Sequence, residues 1–504
     1  MSTKIANQQL DEIADLVAER IGLHFPPERR GDLERGLSAA ASDFEFDNVE
    51  SCLHWLSSSP LTKNQIEVLA SHLTVGETYF FREKKSLDIV EQSILPDLIK
   101  SRGNDRRLRI WSAGCCTGEE PYTIAIILAG MIPDLERWNI TLLATDINPR
   151  FLSKASAGVY SDWSFRDTPE WIRSKYFRKA SGGNFELIPQ VKNLVSFAYL
   201  NLAEDAFPSL TNNTNATDII FCRNVLMYLA PRHVRTIGRN FYRCLTESGW
   251  LVVSPSDMSQ ELSSQLAIVH RSGAILYRKG TPSVEQDLVL PVGEPDESPI
   301  SWAASLPPLA EPQTPAYVPP EALELPFAAG EQTGTHCADA APDEALTLYE
   351  QGHYAAAADQ LAARLCKYPE DAQTMTLLAR VHANQGNLEE ALAWCDKAIA
   401  KQKIEPGIHY LRATILQERG ALDEAVRSLQ RTLYLDPNFA LAHFTLGMIA
   451  RQRGRFEALD KHFENARALL AIYPPEEILP ESGGITASRL TEIILRTTSR
   501  KVLQ

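Results

Sequence analysis

Apolar positions in the first part of the chain repeat with a helical period. Between residue 1 and about residue 90 they recur every three or four residues, first at Leu10, Ile13, Ala14, Val17 and Ile21. This spacing places them on one face of a helix. The pattern predicts an N-terminal helical domain over residues 1–90.

Short apolar runs follow from Arg107 onward. They are LRIW (108–111), ITLLATD (140–146), TDIIFC (217–222) and GWLVVS (249–254), and helical stretches such as 121–131 and 231–245 separate them. Strands that alternate with helices predict an α/β fold built on a doubly wound parallel sheet. Ligands of such sheets bind beyond the carboxyl ends of the strands. Candidate functional residues are therefore expected in the loops there.

A repeat of 34 residues dominates the last third of the chain. Its most regular feature is a glycine, at Gly352, Gly386, Gly420 and Gly454. The period resembles that of tetratricopeptide repeats, in which two antiparallel helices form each unit of an α-helical solenoid. We expect repeats over residues 341–475, as three full units plus a capping helix, and a C-terminal tail over 476–504. Such arrays present a concave surface to a peptide or helix of a partner protein.

Residues 281–340 separate these two halves. They hold ten acidic residues, no Lys or Arg, and 11 of the 30 prolines. This composition predicts an extended, Pro-rich acidic linker. The linker carries most of the net charge of -14, so the remainder of the chain is nearly neutral. A protein that binds nucleic acid by neutralising phosphates would be basic, and this class is disfavoured.

Cysteine usage and hydropathy point to the cytoplasm. The eight cysteines include no CxxC pair and no histidines at the spacing of zinc ligands, which is typical of free thiols in a reducing compartment. The sequence shows no apolar stretch long enough to span a membrane and no secretion signal. We expect no metal and no membrane insertion.

The loop after the first predicted strand combines small residues with acids. It reads SAGCCTGEEP, with Gly114 and Gly118 allowing a ligand to approach the backbone and with Glu119 and Glu120 beside them. A pyrophosphate would need bare backbone amides rather than carboxylates. The loop therefore favours a cationic ligand. A tight turn with acids at the positive end of a helix, Pro121 being its first residue, explains the loop equally well.

Three further segments carry candidate residues. Asp146 ends the second strand, where a carboxylate can accept hydrogen bonds from a ribose diol, while Asn148 serves as a helix cap. The strand TDIIFC runs into Arg223, Asn224 and Tyr228, which taken alone would be a polar surface loop. Upstream, Thr78 and Arg82 are four residues apart and would share one face of a predicted helix. The neighbouring Phe80 and Phe81 are predicted to be core residues.

Taken in order, TYFFRE, CCTGEEPY, ATDIN, the pair Asn201-Leu202 and FCRNVLMY resemble the chemoreceptor glutamate methyltransferases of the CheR family. The resemblance covers residues 5–280. It implies a Rossmann-like, S-adenosylmethionine-binding domain over residues 91–280 with a small β-subdomain near 180–198. It also implies O-methylation of glutamate side chains on the cytoplasmic helices of a chemoreceptor, with S-adenosylhomocysteine as the second product.

The resemblance assigns cofactor contacts residue by residue. The matching positions are Thr78, Arg82, Glu120, Asp146, Asn201, Leu202, Arg223 and Asn224. Gly114 is a further expected cofactor contact, because it lies in the loop of small residues after the first strand. Gly76 is also expected at the cofactor, although the best-known members carry Asn at this position. As catalytic residues we expect Arg82 and Tyr228 to position the incoming carboxylate and Arg223 to support the site. The expected partners are the receptor's cytoplasmic domain and an unidentified protein that binds the repeats.

Two other functions stay open at this point. The enzyme could methylate another protein, a small carboxylate or RNA, although the near-neutral catalytic half disfavours RNA. Alternatively, the methyltransferase fold could be a sensor that binds S-adenosylmethionine without turnover, with the repeats as an adaptor. A base-labile methyl ester on the product would separate carboxylate acceptors from other acceptors, and binding without turnover on any receptor fragment would favour the sensor.

Overall fold

The computed structural model describes residues 7–58, 60–203, 207–209, 212–263, 266–271, 274–280 and 342–499. The predicted linker over 281–340 lies outside the described residues. None of the helices in the described ranges is both long and apolar enough to cross a lipid bilayer.

In the part of the N-terminal domain that the structure describes there are four α-helices: Asn7–Arg20 (α1), Arg30–Asp43 (α2), Val49–Ser57 (α3) and Lys63–Leu73 (α4). The predicted face of α1 is buried, with Leu10, Ile13 and Val17 in one core with residues from α2 to α4. A capping box formed by Thr62 and Gln65 begins α4. Two short helices, Lys84–Ile89 (α5) and Leu95–Ser101 (α6), lead from this domain to the sheet.

Within the described ranges the central sheet has seven strands. They are Arg107–Ala113 (β1), Asn139–Asp146 (β2), Val195–Tyr199 (β6), Thr217–Cys222 (β7), Leu245–Val253 (β8), Ala267–Arg271 (β9) and Ala274–Arg278 (β10), in the order β6-β2-β1-β7-β8-β10-β9. The first five in this order are parallel, and β10 is antiparallel to both neighbours. The predicted fold class is confirmed. The sequence did not predict β6, β9 or β10. Strand β9 lies at the edge of the sheet and β10 joins it to β8, and neither β9 nor β10 is buried along its whole length as a central parallel strand is.

Helices cover the two faces of this sheet. They are Glu119–Met131 (α7), Pro149–Ala157 (α8), Pro231–Cys244 (α11) and the short Gln260–Ser263 (α12). Helix α7 begins two residues before the predicted first residue, Pro121, so Glu119 and Glu120 form its first turn. Asn148 caps α8 as predicted, since its side chain accepts from the amides of Arg150 and Phe151.

A second, three-stranded sheet is inserted between α8 and β6. Its strands are Val159–Tyr160 (β3), Phe177–Lys179 (β4) and Phe185–Leu187 (β5), accompanied by helices Glu170–Tyr176 (α9) and Pro189–Lys192 (α10). It begins well before the expected range of 180–198, and residues 195–199 belong to the central sheet instead. An aromatic cluster of Phe80, Tyr160, Phe165 and Phe177 joins it to the main domain. These contacts are distant in sequence, so no local pattern indicated them.

The last part of the described chain, residues 342–499, consists of paired helices and one further helix. These are Pro342–Gln351 (α13), Tyr354–Lys367 (α14), Ala372–Gln385 (α15), Leu388–Lys401 (α16), Pro406–Glu418 (α17), Leu422–Leu435 (α18), Ala440–Gln452 (α19) and Phe456–Leu470 (α20), followed by Ala487–Ser499 (α21). Each periodic glycine joins the two helices of a pair with a positive φ, as at Gly386 (φ 83°), which side chains disfavour. The expectation of three repeats plus a cap is wrong, because α13 is the leading helix of the first pair.

The repeats pack against the amino-terminal edge of the sheet. The turn at Gly386 lies beside Arg107, the first residue of β1, and Asn139, the first residue of β2, donates to the carbonyl of Glu418 at 2.7 Å. Tyr354 donates its hydroxyl proton to the carbonyl of Arg243 at 3.0 Å. The repeats therefore lie opposite the edge at which ligands of parallel sheets bind.

Candidate active site

One cleft opens at the carboxyl ends of the parallel strands and encloses about 1090 Å³, its open mouth included. All the residues proposed from the sequence except Gly76 line it: Thr78, Arg82, Gly114, Glu120, Asp146, Asn201, Leu202, Arg223, Asn224 and Tyr228. Gly76 lies just outside, and a Cβ there would meet the ring of Phe151 at 2.7 Å. The close approach of the Gly76 backbone to Phe151 thus explains why a glycine stands at this position.

Asp146 presents a carboxylate at the end of β2. One carboxylate oxygen accepts the amide of Asn148 and the other the amide of Cys116, each at 2.8 Å. Burial raises the pKa of Asp146 to about 6, and these amides act in the opposite direction. Each carboxylate oxygen keeps a lone pair for a further donor, so the group can still accept two hydroxyls.

The two neighbouring acids of the first loop have different roles. Glu119 is buried and accepts from Thr117 at 2.6 Å and from Ser164 at 3.0 Å, so it ties the loop to the inserted subdomain. Glu120 instead lines the cleft and accepts from Ser112 at 2.7 Å. Burial raises the pKa of Glu120, while Arg223 and Ser112 favour its ionised form.

Arg223 is the buried cation of the cleft. Its guanidinium lies 3.2 Å from a carboxylate oxygen of Glu120 and 3.5 Å from one of Glu83, and it also donates to the carbonyl of Arg82. Its Nε atom is buried and makes no hydrogen bond to the described residues. The side chain thus offsets two carboxylates and leaves one donor available.

Asp257 holds the loop that carries Arg223. Its carboxylate accepts the amides of Asn224, Val225 and Met227, the last two at 3.1 and 3.0 Å. Asn224 has φ 56°, a left-handed conformation that needs such support. Asp257 was not predicted from the sequence, although it is a polar residue shortly after the carboxyl end of β8.

The segment of Thr78 and Arg82 is not the predicted helix. Helix α4 ends at Leu73, and residues 74–83 form a loop in which Phe81 and Glu83 have φ values of 60° and 55°. Phe80 is fully buried as predicted, but Phe81 is only partly buried. Arg82 reaches the cleft from this loop and donates to the carbonyl of Glu77.

Asn201 and Tyr228 connect the cleft to the N-terminal domain. The side-chain NH2 group of Asn201 donates to the carbonyl of Arg20 at 2.9 Å, and its side-chain oxygen accepts the backbone amide of Ala203 at 3.0 Å. The carbonyl of Tyr228 accepts the amide of His24 at 2.7 Å. Ile21 and Leu23, which follow α1, also line the cleft. The sequence predicted these residues only as part of the helical domain, so their contribution to the wall of the cleft was not predicted.

Two thiols in the cleft are poor nucleophiles. Cys115 and Cys116 line it, and burial raises the pKa of the Cys116 thiol to about 12. Burial likewise raises the pKa of Cys115. Both thiols therefore stay protonated at neutral pH. The cysteines of the described ranges are all free, as expected from the sequence.

A strand-end carboxylate, an acidic first loop and a buried arginine over a doubly wound sheet fit the class of adenosylmethionine-dependent methyltransferases. Residues 76–273 match the model of the CheR methyltransferase SAM-binding domain, and residues 343–404 and 410–458 match a tetratricopeptide-repeat model. The chain belongs to the CheR methyltransferase family and carries tetratricopeptide repeats after its catalytic domain. S-adenosylmethionine is the methyl donor that this domain implies.

Three relatives illustrate the similarity. The chemotaxis protein methyltransferase of Borreliella burgdorferi is 29% identical over 51% of this chain and 90% of its own length. Chemotaxis protein methyltransferase 2 of Vibrio cholerae is 30% identical over 50% of this chain and 85% of its own. The probable biofilm formation methyltransferase WspC of Pseudomonas aeruginosa is 26% identical over 88% of this chain and 94% of its own. The last match therefore spans both halves of the chain.

The titration of Asp146 predicts a pH dependence of ligand binding. Its pKa is raised to about 6, so the ionised acceptor dominates at pH 7.5 and the protonated form at pH 5. If S-adenosylhomocysteine binds the ionised form, its affinity falls about 10-fold between these values. Calorimetric titrations at both pH values test this, with Asp146→Asn expected to bind weakly and without this dependence. An unchanged wild-type affinity would contradict the assignment of Asp146 to the ribose.

Proposed function

We propose that the chain transfers the methyl group of S-adenosylmethionine to glutamate side chains on the cytoplasmic helices of a chemosensory receptor. The products are glutamate methyl esters, which tune signal adaptation, and S-adenosylhomocysteine. The observation that supports this function is the convergence of Arg82, Arg223, Glu120 and Asp146 on one cleft.

The donor set of the cleft fits the charges and hydroxyls of the methyl donor. Asp146 would accept the ribose hydroxyls, and Glu120 would face the cationic methionyl amine. The unpaired Nε of Arg223 offers a buried donor. Gly114 lets the backbone approach, and a side chain there would collide with Val225. Thr78, Leu202 and Asn224 complete the walls, and Asn201 shapes its loop because its amide is already bonded within the protein.

The reaction makes modest demands on the protein. A glutamate carboxylate has a pKa of about 4.3, so it is ionised at neutral pH and needs no general base. When bound, the sulfonium of the donor supplies an electrophilic methyl group. Arg82 and Tyr228 would orient the carboxylate in line and exclude water, a contribution worth up to about 7 to 11 kcal/mol in favourable cases. A tighter arginine clamp would stabilise the ground state and slow the attack.

The repeats are proposed to recruit the enzyme to its substrate. Tetratricopeptide arrays bind segments of other proteins, and a cytoplasmic enzyme recruited to receptor arrays would meet the methylated helices there. One relative is named for biofilm formation and two are named for chemotaxis. Receptors from surface-sensing systems and from motility systems are therefore both used as substrates in the test below.

The test is methyl transfer by the purified full chain. The chain is incubated with methyl-labelled S-adenosylmethionine and receptor cytoplasmic fragments from motility and surface-sensing systems, and methanol released by alkali is counted. We expect alkali-labile label on at least one fragment and none after its methylated glutamates are changed to Gln. Label that resists alkali would indicate another acceptor group. Binding of the donor without label on any fragment would identify a sensor or adaptor instead.

A further inference from the structure

The segment after the last repeat makes contacts that the family models do not include, because their matches end at residue 458. We call residues 476–499 the C-terminal strap. It starts with a tight turn in which the amide of Leu479 donates to the carbonyl of Ile485 at 3.0 Å. Helix α21 follows, with Leu490 and Ile494 buried in the hydrophobic core of the repeats. The strap is therefore a packed part of the structure.

The turn of the strap bridges the repeats and the methyltransferase domain. Glu481 forms an ion pair with Arg380 of α15. The carbonyl of the next residue, Ser482, accepts the hydroxyl of Ser209 at 3.1 Å. Ser209 lies between β6 and β7, so the strap contacts a connection of the central sheet.

Helix α21 then reaches the end of β6. Arg489 donates to the carbonyl of Tyr199 at 3.1 Å, and its guanidinium lies 4.6 Å from the centre of the Tyr199 ring. Glu492 accepts from Arg489 at 2.8 Å and also forms an ion pair with Lys63, the first residue of α4. The Lys63 ammonium lies 4.4 Å from the same ring. Tyr199 is thus contacted by cations from the strap and from the N-terminal domain.

Tyr199 is adjacent to the wall of the cleft. It pairs with Asp146 in the register of β6 and β2, and the amide of Leu200 donates to the carbonyl of Asp146 at 3.2 Å. Leu200, Asn201 and Leu202 all line the cleft. A shift of the Tyr199 backbone would therefore displace this wall and the strand pairing of Asp146.

We propose that the C-terminal strap is a positioning element of the S-adenosylmethionine site, with Arg489 as its positioning residue. The proposal rests on the proposed function of the cleft as the donor site. Arg489 acts through the Tyr199 carbonyl, which holds residues 200–202 in the conformation that receives the donor. Because coupling between two sites is reciprocal, ligand in the cleft also stabilises the strap.

The first test compares Arg489→Ala, Arg489→Lys and a control in the full chain. The control is Arg412→Ala, because Arg412 pairs with Asp396 at 2.7 Å within the repeats. We expect Arg489→Ala to weaken S-adenosylhomocysteine binding by about 3- to 30-fold, with Arg489→Lys partly restoring it and the control unchanged. In the methylation assay the KM for the donor rises while kcat is retained.

Hydrogen exchange gives a readout that a purely structural role would not move. S-adenosylhomocysteine is expected to slow amide exchange in residues 487–499 of the wild type but not of Arg489→Ala. Wild-type affinity in Arg489→Ala, or exchange in α21 that does not respond to ligand, would overturn the proposal. A wild-type chain that takes up no S-adenosylhomocysteine would overturn the proposed function as well, so the two failures are distinguishable.

Discussion

Arg82→Ala is expected to lower kcat/KM for methyl transfer by about 10²- to 10³-fold, the cost of removing one well-placed donor from an active site. Arg82 lines the cleft from a loop and contacts the carbonyl of Glu77 and, at 5.8 Å, the ring of Tyr79. These contacts are local, so the free energy of unfolding should change little. Initial rates with a receptor fragment and the midpoint of urea unfolding measure the two effects.

Arg166→Ala is the matched control for this change. The Arg166 guanidinium also stacks on the Tyr79 ring, at 3.7 Å, but Arg166 does not line the cleft. We expect the control to keep nearly the wild-type rate. Full activity of Arg82→Ala, or an equal loss in Arg166→Ala, would contradict the role given to Arg82.

Glu418→Ala is expected to destabilise the chain by about 3 to 5 kcal/mol, because it leaves buried cations without their partner. The carboxylate of Glu418 lies 3.0 Å from the guanidinium of Arg109, and the two side chains are only 4% and 3% exposed. Asn215 donates to the same carboxylate at 2.8 Å. Burial also lowers the pKa of the neighbouring Arg107, and the negative charge of Glu418 acts against this shift. The midpoint of urea unfolding, followed by circular dichroism, measures the loss.

An exposed ion pair of the repeats provides the comparison. Glu389 pairs with Arg419 at 2.7 Å, but the side chains are 68% and 45% exposed. Exposed pairs contribute about 0 to 1 kcal/mol, so Glu389→Ala should hardly move the midpoint. If both variants unfold at the wild-type midpoint, the repeats do not stabilise the sheet through Glu418.

Local patterns were sufficient to predict most elements of the fold. The strands β1, β2, β7 and β8 are buried and therefore appear as continuous apolar runs. The repeats keep one period because each pair of helices packs on its neighbours in the same way. By contrast, the three-stranded subdomain was misplaced, because contacts between residues far apart in sequence hold it together.

The candidate site was predictable where a polar residue directly follows a buried strand. Asp146 was identified in this way. Arg223 was assigned through the resemblance to the family, because its loop taken alone indicates a polar surface loop, and Asp257, shortly after β8, was not predicted. The loop of Arg82 was predicted as a helix because spacing alone cannot reveal the left-handed backbone at Phe81 and Glu83. That conformation depends on tertiary contacts of its neighbours, such as the amide of Phe80 with the carbonyl of Ser164.

The sequence by itself determined the N-terminal helices, the buried strands β1, β2, β7 and β8, the repeat period and the position of Asp146 at the end of a strand, since each of these depends on neighbours close along the chain. The tertiary structure alone decided that Glu418 is buried against Arg109 and that α21 reaches Tyr199. Such pairings join residues hundreds of positions apart, and their burial depends on how the repeats pack against the sheet. No periodicity or motif encodes that packing.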